Sequence, residues 1–148
     1  MASPKKTPSP LQEAKNQARS FEALREAHQR EMFEDYVELI ADLIDNNGEA
    51  RVTDLAERLA VTPATVNSAL QRLVREGQVR KLPYRSIFLT DEGRKLAVNS
   101  KIRHQLVVSF LTAIGVSQDV AEIDAEGIEH HISTETMAAF QRIIDERA

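Results

Sequence analysis

The stretch TDLAERLAVTPATVNSALQRLVREG, residues 53–77, decides the fold. It reads as two short helices joined by a tight turn. Thr53 can cap the first, whose Leu55, Ala56 and Leu59 face inward. Thr62 caps the second, with Pro63 at its first position, where a missing N–H costs nothing. Val66, Ala69, Leu70 and Leu73 recur at helical spacing as an apolar face, and Gly77 ends the helix. Small Ala56 stands where the two cross, and Ala60 takes the turn position where glycine is frequent. The pattern is that of a helix-turn-helix.

Downstream, QVRKLPYRSIFLT (78–90) predicts two short strands around Pro83-Tyr84-Arg85, which makes the unit a winged helix. Thr90 caps a long helix with Asp91 and Glu92 in its favourable first turn. Leu96, Ile102, Leu106, Val107, Phe110, Leu111 and Ile114 are its apolar positions, and Gly115 closes it. Ser117 and Ser133 each open a further helix, the last carrying Met137, Phe140, Ile143 and Ile144 in register. Upstream, residues 1–19 are rich in Pro, Ser and Lys and read as a disordered arm. A helix capped at Ser20 runs to Asn46, where Asn46-Asn47-Gly48 stops it. The expected fold is mainly α, with a helix plus winged helix-turn-helix over 20–93 and an all-helical unit over 94–148.

A chain of 148 residues can bury a real core without staples. It has no cysteine, which excludes disulfides, zinc fingers and iron–sulfur clusters. No apolar run approaches a membrane span, and MASPKKTPSPLQ lacks the apolar core of a secretory signal, so a cytoplasmic location is expected. The net charge of −4 hides a division. Residues 62–90 hold five basic residues against Glu76 alone, whereas 31–50 hold seven acids and no Lys or Arg. Two oppositely charged segments imply two jobs on two surfaces.

The basic segment suits DNA. Thr62, Pro63, Ala64, Thr65, Asn67, Ser68, Gln71 and Arg72 lie on the exposed side of the second helix, whose N-terminal half fits a major groove. Lys81, Tyr84 and Arg85 on the wing can reach phosphates, which supply affinity rather than sequence. The competing reading is a solvated amphipathic helix beside a surface hairpin.

The acidic segment poses a different question. DAEGIEHHIS (124–133) places two of the chain's four histidines side by side, among carboxylates. It can be a polar helix face, a general acid/base site, or half of a metal site. Asp35 and Glu38, three apart on the first helix, point the same way, and Glu126 and Glu129 repeat that spacing beside His130. His104 sits alone on the long helix. Crowded carboxylates raise one another's pKa unless a cation sits among them. Imidazoles with several carboxylates make an N/O shell suited to Mn²⁺ or Fe²⁺. Two carboxylates and a metal could also activate water, but with no Ser/His/Asp arrangement and no phosphate-cradling glycine loop, catalysis is the weaker use.

Several stretches together resemble the metal-dependent repressors related to diphtheria toxin repressor, and among them the manganese transport regulators. They are DYVELI (35–40), RVTDLAERLAVTPATVNSALQRL (51–73), FLTDEGRKLA (88–97), RHQLV (103–107), FLTAIGV (110–116) and DAEGIEHHIS (124–133). The resemblance implies that Asp35, Glu38, His104, Glu126, Glu129 and His130 are metal ligands, holding one or two ions per subunit. His131 matches the family's second histidine and falls outside that set, with a packing or supporting role. Iron-responsive relatives place Met and Cys where this chain has Asp35 and Glu126, so hard oxygen ligands favour Mn²⁺, with some response to Fe²⁺. The chain ends at Ala148, which leaves the additional C-terminal domain of iron-responsive members without a counterpart, and the first 27 or so residues extend beyond the shortest members.

The resemblance also implies a homodimer built on the C-terminal helices, binding a palindromic double-stranded operator and repressing manganese uptake genes. It implies no enzyme activity, no membrane and no small organic substrate. The apolar rows at 102–114 and 137–144 fit a dimer core or an intramolecular one. An iron-responsive regulator, a winged-helix regulator sensing an organic ligand and a metal-dependent hydrolase are the rivals.

Overall fold

A computed structural model describes residues 10–82 and 86–148. Six helices and one two-stranded sheet follow in the order α1 (Ala14–Asn47), α2 (Val52–Leu59), α3 (Pro63–Arg75), β1 (Val79–Lys81), β2 (Ile87–Leu89), α4 (Asp91–Ala113), α5 (Gln118–Ile128) and α6 (Thr134–Arg147). The expected winged helix-turn-helix followed by helices is the architecture found.

Local chemistry sets most of these boundaries. Thr62 accepts from the Thr65 N–H at 3.2 Å and Pro63 opens α3, as expected. Beyond α3, Gly77 is left-handed at φ 75°, and the Gln78 N–H reaches back to the Leu73 carbonyl at 2.9 Å. The same closure ends α2 on a residue with a Cβ. Ala60 stands at φ 56°, and the Val61 N–H bonds the Ala56 carbonyl at 3.0 Å. Thr90 and Ser133 cap α4 and α6 through the N–H groups of Gly93 and Thr136.

Two expected starts differ. α1 begins at Ala14, six residues before Ser20, whose hydroxyl instead donates to the Asn16 carbonyl inside the helix at 3.2 Å. Helix-forming Ala, Lys, Gln and Arg carry this exposed first half without a buried stripe to reveal it. Thr53 does not cap α2: Arg51 holds that position with no side-chain bond, and Thr53 lies within the first turn.

The larger core gathers Val37 and Ile40 of α1, Leu55 of α2, Val66, Leu70 and Leu73 of α3 and Ile87 of β2. β1 and β2 pair antiparallel, Arg80 opposite Phe88, and Ala50 adds a bridge to Ile87. At Gly93 the wing meets α4 so closely that an added Cβ would lie 2.0 Å from the Gln78 carbonyl oxygen. A second, smaller core holds Val107, Val108, Ala121 and Ala125, with Leu111, Ile128 and Phe140 against it. Phe110 and Phe140 stack at 3.8 Å. α6 buries no residue fully, and Ile102, Ile114, Val120 and Ile123 remain exposed. No helix among the described residues is long and apolar enough to cross a membrane.

Candidate metal centre and DNA-reading surface

α1 crosses from the winged unit to the helical unit, so its middle faces both α4 and the end of α5. Asp35 and Glu38 project from it, His104 comes from the middle of α4, and Glu126 from the last turn of α5. Glu129 and His130 occupy the turn directly after α5, where the Glu129 N–H still bonds the Ala125 carbonyl at 3.0 Å. Glu129 and His130 are only 1% and 3% exposed.

Two groups of donors meet at Glu129. Its Oε1 lies 3.2 Å from His130 Nε2, which lies 3.2 Å from Asp35 Oδ1. Its Oε2 lies 3.4 Å from His104 Nδ1, which is 3.6 Å from Glu126 Oε1. Glu38 flanks the set. Ser100 donates to it at 2.9 Å, and burial, then the charges of Glu129 and Glu126, raise its pKa. Five of the six residues singled out by resemblance are thus linked by short contacts, whereas the contact found for Glu38 is with Ser100. Both Glu129 oxygens and His130 Nε2 are buried without a properly directed hydrogen-bond partner. Orphaned acceptors beside a ring nitrogen are what a divalent cation would satisfy, so the residues fit one.

The protonation pattern agrees. Burial opposes charge on His130, yet the carboxylates of Asp35, Glu129 and Glu34 outweigh it and push its pKa up to about 12. A cation bound at this ring would therefore have to displace its proton. Burial first, then Glu129, raises Glu126. His104 is raised as well: burial opposes its charge, but the hydrogen bond to Glu122 and the charges of Glu129 and Glu126 prevail.

The residues that orient these donors had no sequence signal. Glu34 is buried and sits 2.6 Å from His130 Nδ1, across 96 residues of chain. Arg103 pairs with the same carboxylate. Burial works against ionised Glu34, but His130 and Arg103 together hold its pKa below the usual range. A carboxylate on Nδ1 directs Nε2 at the centre, the arrangement that raises a ligand's basicity. Glu122 plays the corresponding part for His104, 2.7 Å from Nε2. His131, expected to pack or support, contacts Glu31 at 3.0 Å.

On the other surface, Thr62, Pro63, Ala64, Thr65, Ser68, Gln71 and Arg72 are exposed along α3, and Asn67 is half-buried. Lys81 on β1 donates to Asn67 Oδ1 at 3.4 Å, so the wing leans on the reading helix. Tyr84 and Arg85 lie outside the described residues.

Two family domains match consecutive parts of the chain: "Iron dependent repressor, N-terminal DNA binding domain" over residues 29–87 and "Iron dependent repressor, metal binding and dimerisation domain" over 90–147. The chain belongs to the iron dependent repressor family. Among curated relatives, the transcriptional regulator MntR of Escherichia coli O6:H1 is 53% identical over 121 residues, 82% of this chain and 78% of that one. The regulator MntR of Bacillus subtilis is 43% identical over 100 residues, covering 68% and 70%. A solved manganese-dependent transcriptional repressor in complex with manganese superposes with a TM-score of 0.68 at 28% identity, over 76% of this chain and 52% of that chain. The chain thus spans about half the length of that solved relative. In this iron dependent repressor, Asp35 and Glu38 lie in the first matched domain and His104, Glu126, Glu129 and His130 in the second.

Proposed function

We propose that the chain is a manganese-responsive transcriptional repressor that binds a palindromic operator as a metal-loaded homodimer and represses manganese uptake genes. One observation carries this: donors from α1, in the reading half, and from α4 and the α5 turn, in the other half, share one buried carboxylate, Glu129. Asp35, Glu38, His104, Glu126, Glu129 and His130 are the ligands. Glu129 directs one oxygen to each donor group, so the set would have room for one or two ions per subunit. Oxygen-rich donors and the manganese-dependent relatives support Mn²⁺, and Fe²⁺ shares that donor preference.

When bound, the ion supplies positive charge that ties α1 to α4 and α5. The exposed Ile102, Ile114 and Ile123, with an α6 that buries nothing fully, fit a covering second copy. Thr62, Pro63, Ala64, Thr65, Asn67, Ser68, Gln71 and Arg72 enter the major groove, and Lys81 contacts phosphate. Tying the junction restricts the two reading helices of the dimer to a separation near one DNA turn, about 34 Å. The test is promoter DNA of a manganese uptake gene titrated with protein in Mn²⁺, Fe²⁺, Zn²⁺ or chelator. Tighter binding in Mn²⁺ is expected, and affinity unmoved by chelator would remove the reading.

A further inference from the structure

One and two turns before Asp35, α1 carries Glu31 and His28, outside the six proposed ligands, although Glu31 also lies within reach of Asp35 and His130. His28 and Glu31 are three residues apart on one helix face, and His131 approaches them from the far side of the junction. Glu31 Oε2 lies 3.0 Å from His131 Nε2 and 3.5 Å from His28 Nδ1. The two imidazoles meet edge to face, centroids 5.2 Å apart, so both rings address the same carboxylate oxygen. All three can offer donor atoms within 4.8 Å of one another. A cleft of about 270 Å³, lined by Met32, Tyr36, Leu59 and Val61, opens beside them.

From these residues we infer a further metal site, His28–Glu31–His131, taking a borderline divalent cation of the Zn²⁺ class. In a tetrahedral shell with bonds of ~2.1 Å, ligand atoms sit about 3.4 Å apart, close to the two spacings that Glu31 Oε2 makes with the rings. Two nitrogens and one oxygen form a softer set than the carboxylate-rich centre, so the two sites select different ions. His28 is largely exposed, while Glu31 and His131 are partly so. Three protein ligands at an open edge leave a fourth position for water, the mark of an exchangeable ion rather than a structural one. The ion would lay a second strap across the α1–α5 junction, beside the first.

Zinc stoichiometry of the full chain tests this, with His28→Ala, His131→Ala, His104→Ala and the His28→Ala/His104→Ala double variant compared by equilibrium dialysis. Circular dichroism checks that each folds. His28→Ala and His131→Ala should each bind one Zn²⁺ fewer per chain than the parent. The double variant should bind one fewer than His104→Ala. In ¹⁵N-labelled protein, the His28 and His131 ring resonances should move together on zinc addition. Equal zinc counts with and without His28, or a double variant that loses no more than His104→Ala, would overturn the site. Because the readout is zinc and not operator binding, failure here is separate from failure of the manganese reading.

Discussion

At the scale of single residues, the centre is a contest between a proton and a cation for the same carboxylates. His130 carries its proton at neutral pH because three carboxylates surround it, its pKa reaching about 12. Binding metal through Nε2 requires that proton to leave. With the His104 pKa raised as well, the expected outcome is release of more than one proton per chain on Mn²⁺ binding at pH 7, with apparent affinity rising by ~10-fold or more per pH unit between pH 6 and 8. Indicator-dye titration in weak buffer reads it directly, and a pH-independent affinity would contradict it. Glu34 provides a second test. Glu34→Ala keeps every proposed ligand yet removes the group that orients His130, and should weaken Mn²⁺ binding by about 10–100-fold in a titration. The six proposed ligands could be named from i,i+3 spacings and resemblance, whereas Glu34 could not. Spaced three from Glu31 and four from Glu38, it looks like one more acid on a helix face, and gains meaning only when His130 and Arg103 arrive from distant segments.

At the scale of elements, legibility followed the chemistry of helix ends. Thr62, Thr90 and Ser133 announce helices because their hydroxyls have an N–H three residues on to satisfy. The start of α1 was missed because Glu13 makes no cap bond and the first half buries almost nothing. Thr53 misled because a capping residue type next to Val52 looks the same in sequence whether it begins a helix or lies inside one. Gly93 had no separate signal either, since its need for smallness comes from Gln78 across the wing. Gly93→Ala should destabilise the winged unit by about 1–3 kcal/mol as the wing is pushed off α4. Ala60→Gly should do the opposite, stabilising by roughly 0.5–1 kcal/mol by removing a side chain from left-handed backbone. Thermal denaturation of both, followed at 222 nm, checks the signs.

At the scale of the whole molecule, the proposed function has an acidic chain bind DNA with one basic face and sense cations with an acidic interior. The division visible as charge along the sequence becomes two surfaces joined by α1. Couplings between such sites are typically ~1–3 kcal/mol, or about 5–150-fold in affinity, which sets the expected gain in operator binding on adding Mn²⁺. Lys81→Ala should weaken binding to all sequences alike and reduce the salt slope by about 1, as loss of one phosphate contact requires. Fluorescence anisotropy across a potassium chloride series checks this.

The central claim is that one ion is shared between the reading half and the helical half. Mn²⁺ electron paramagnetic resonance tests it most directly, by counting ions bound to the parent chain, to Asp35→Asn/Glu38→Gln and to Asp35→Asn. Removing this single ligand from α1 should release manganese from a pocket whose other donors are intact and abolish the metal-dependent gain in operator affinity. Undiminished manganese binding by Asp35→Asn and by Asp35→Asn/Glu38→Gln, at the parent's stoichiometry and affinity, would show that α1 does not hold the ion and would contradict the account.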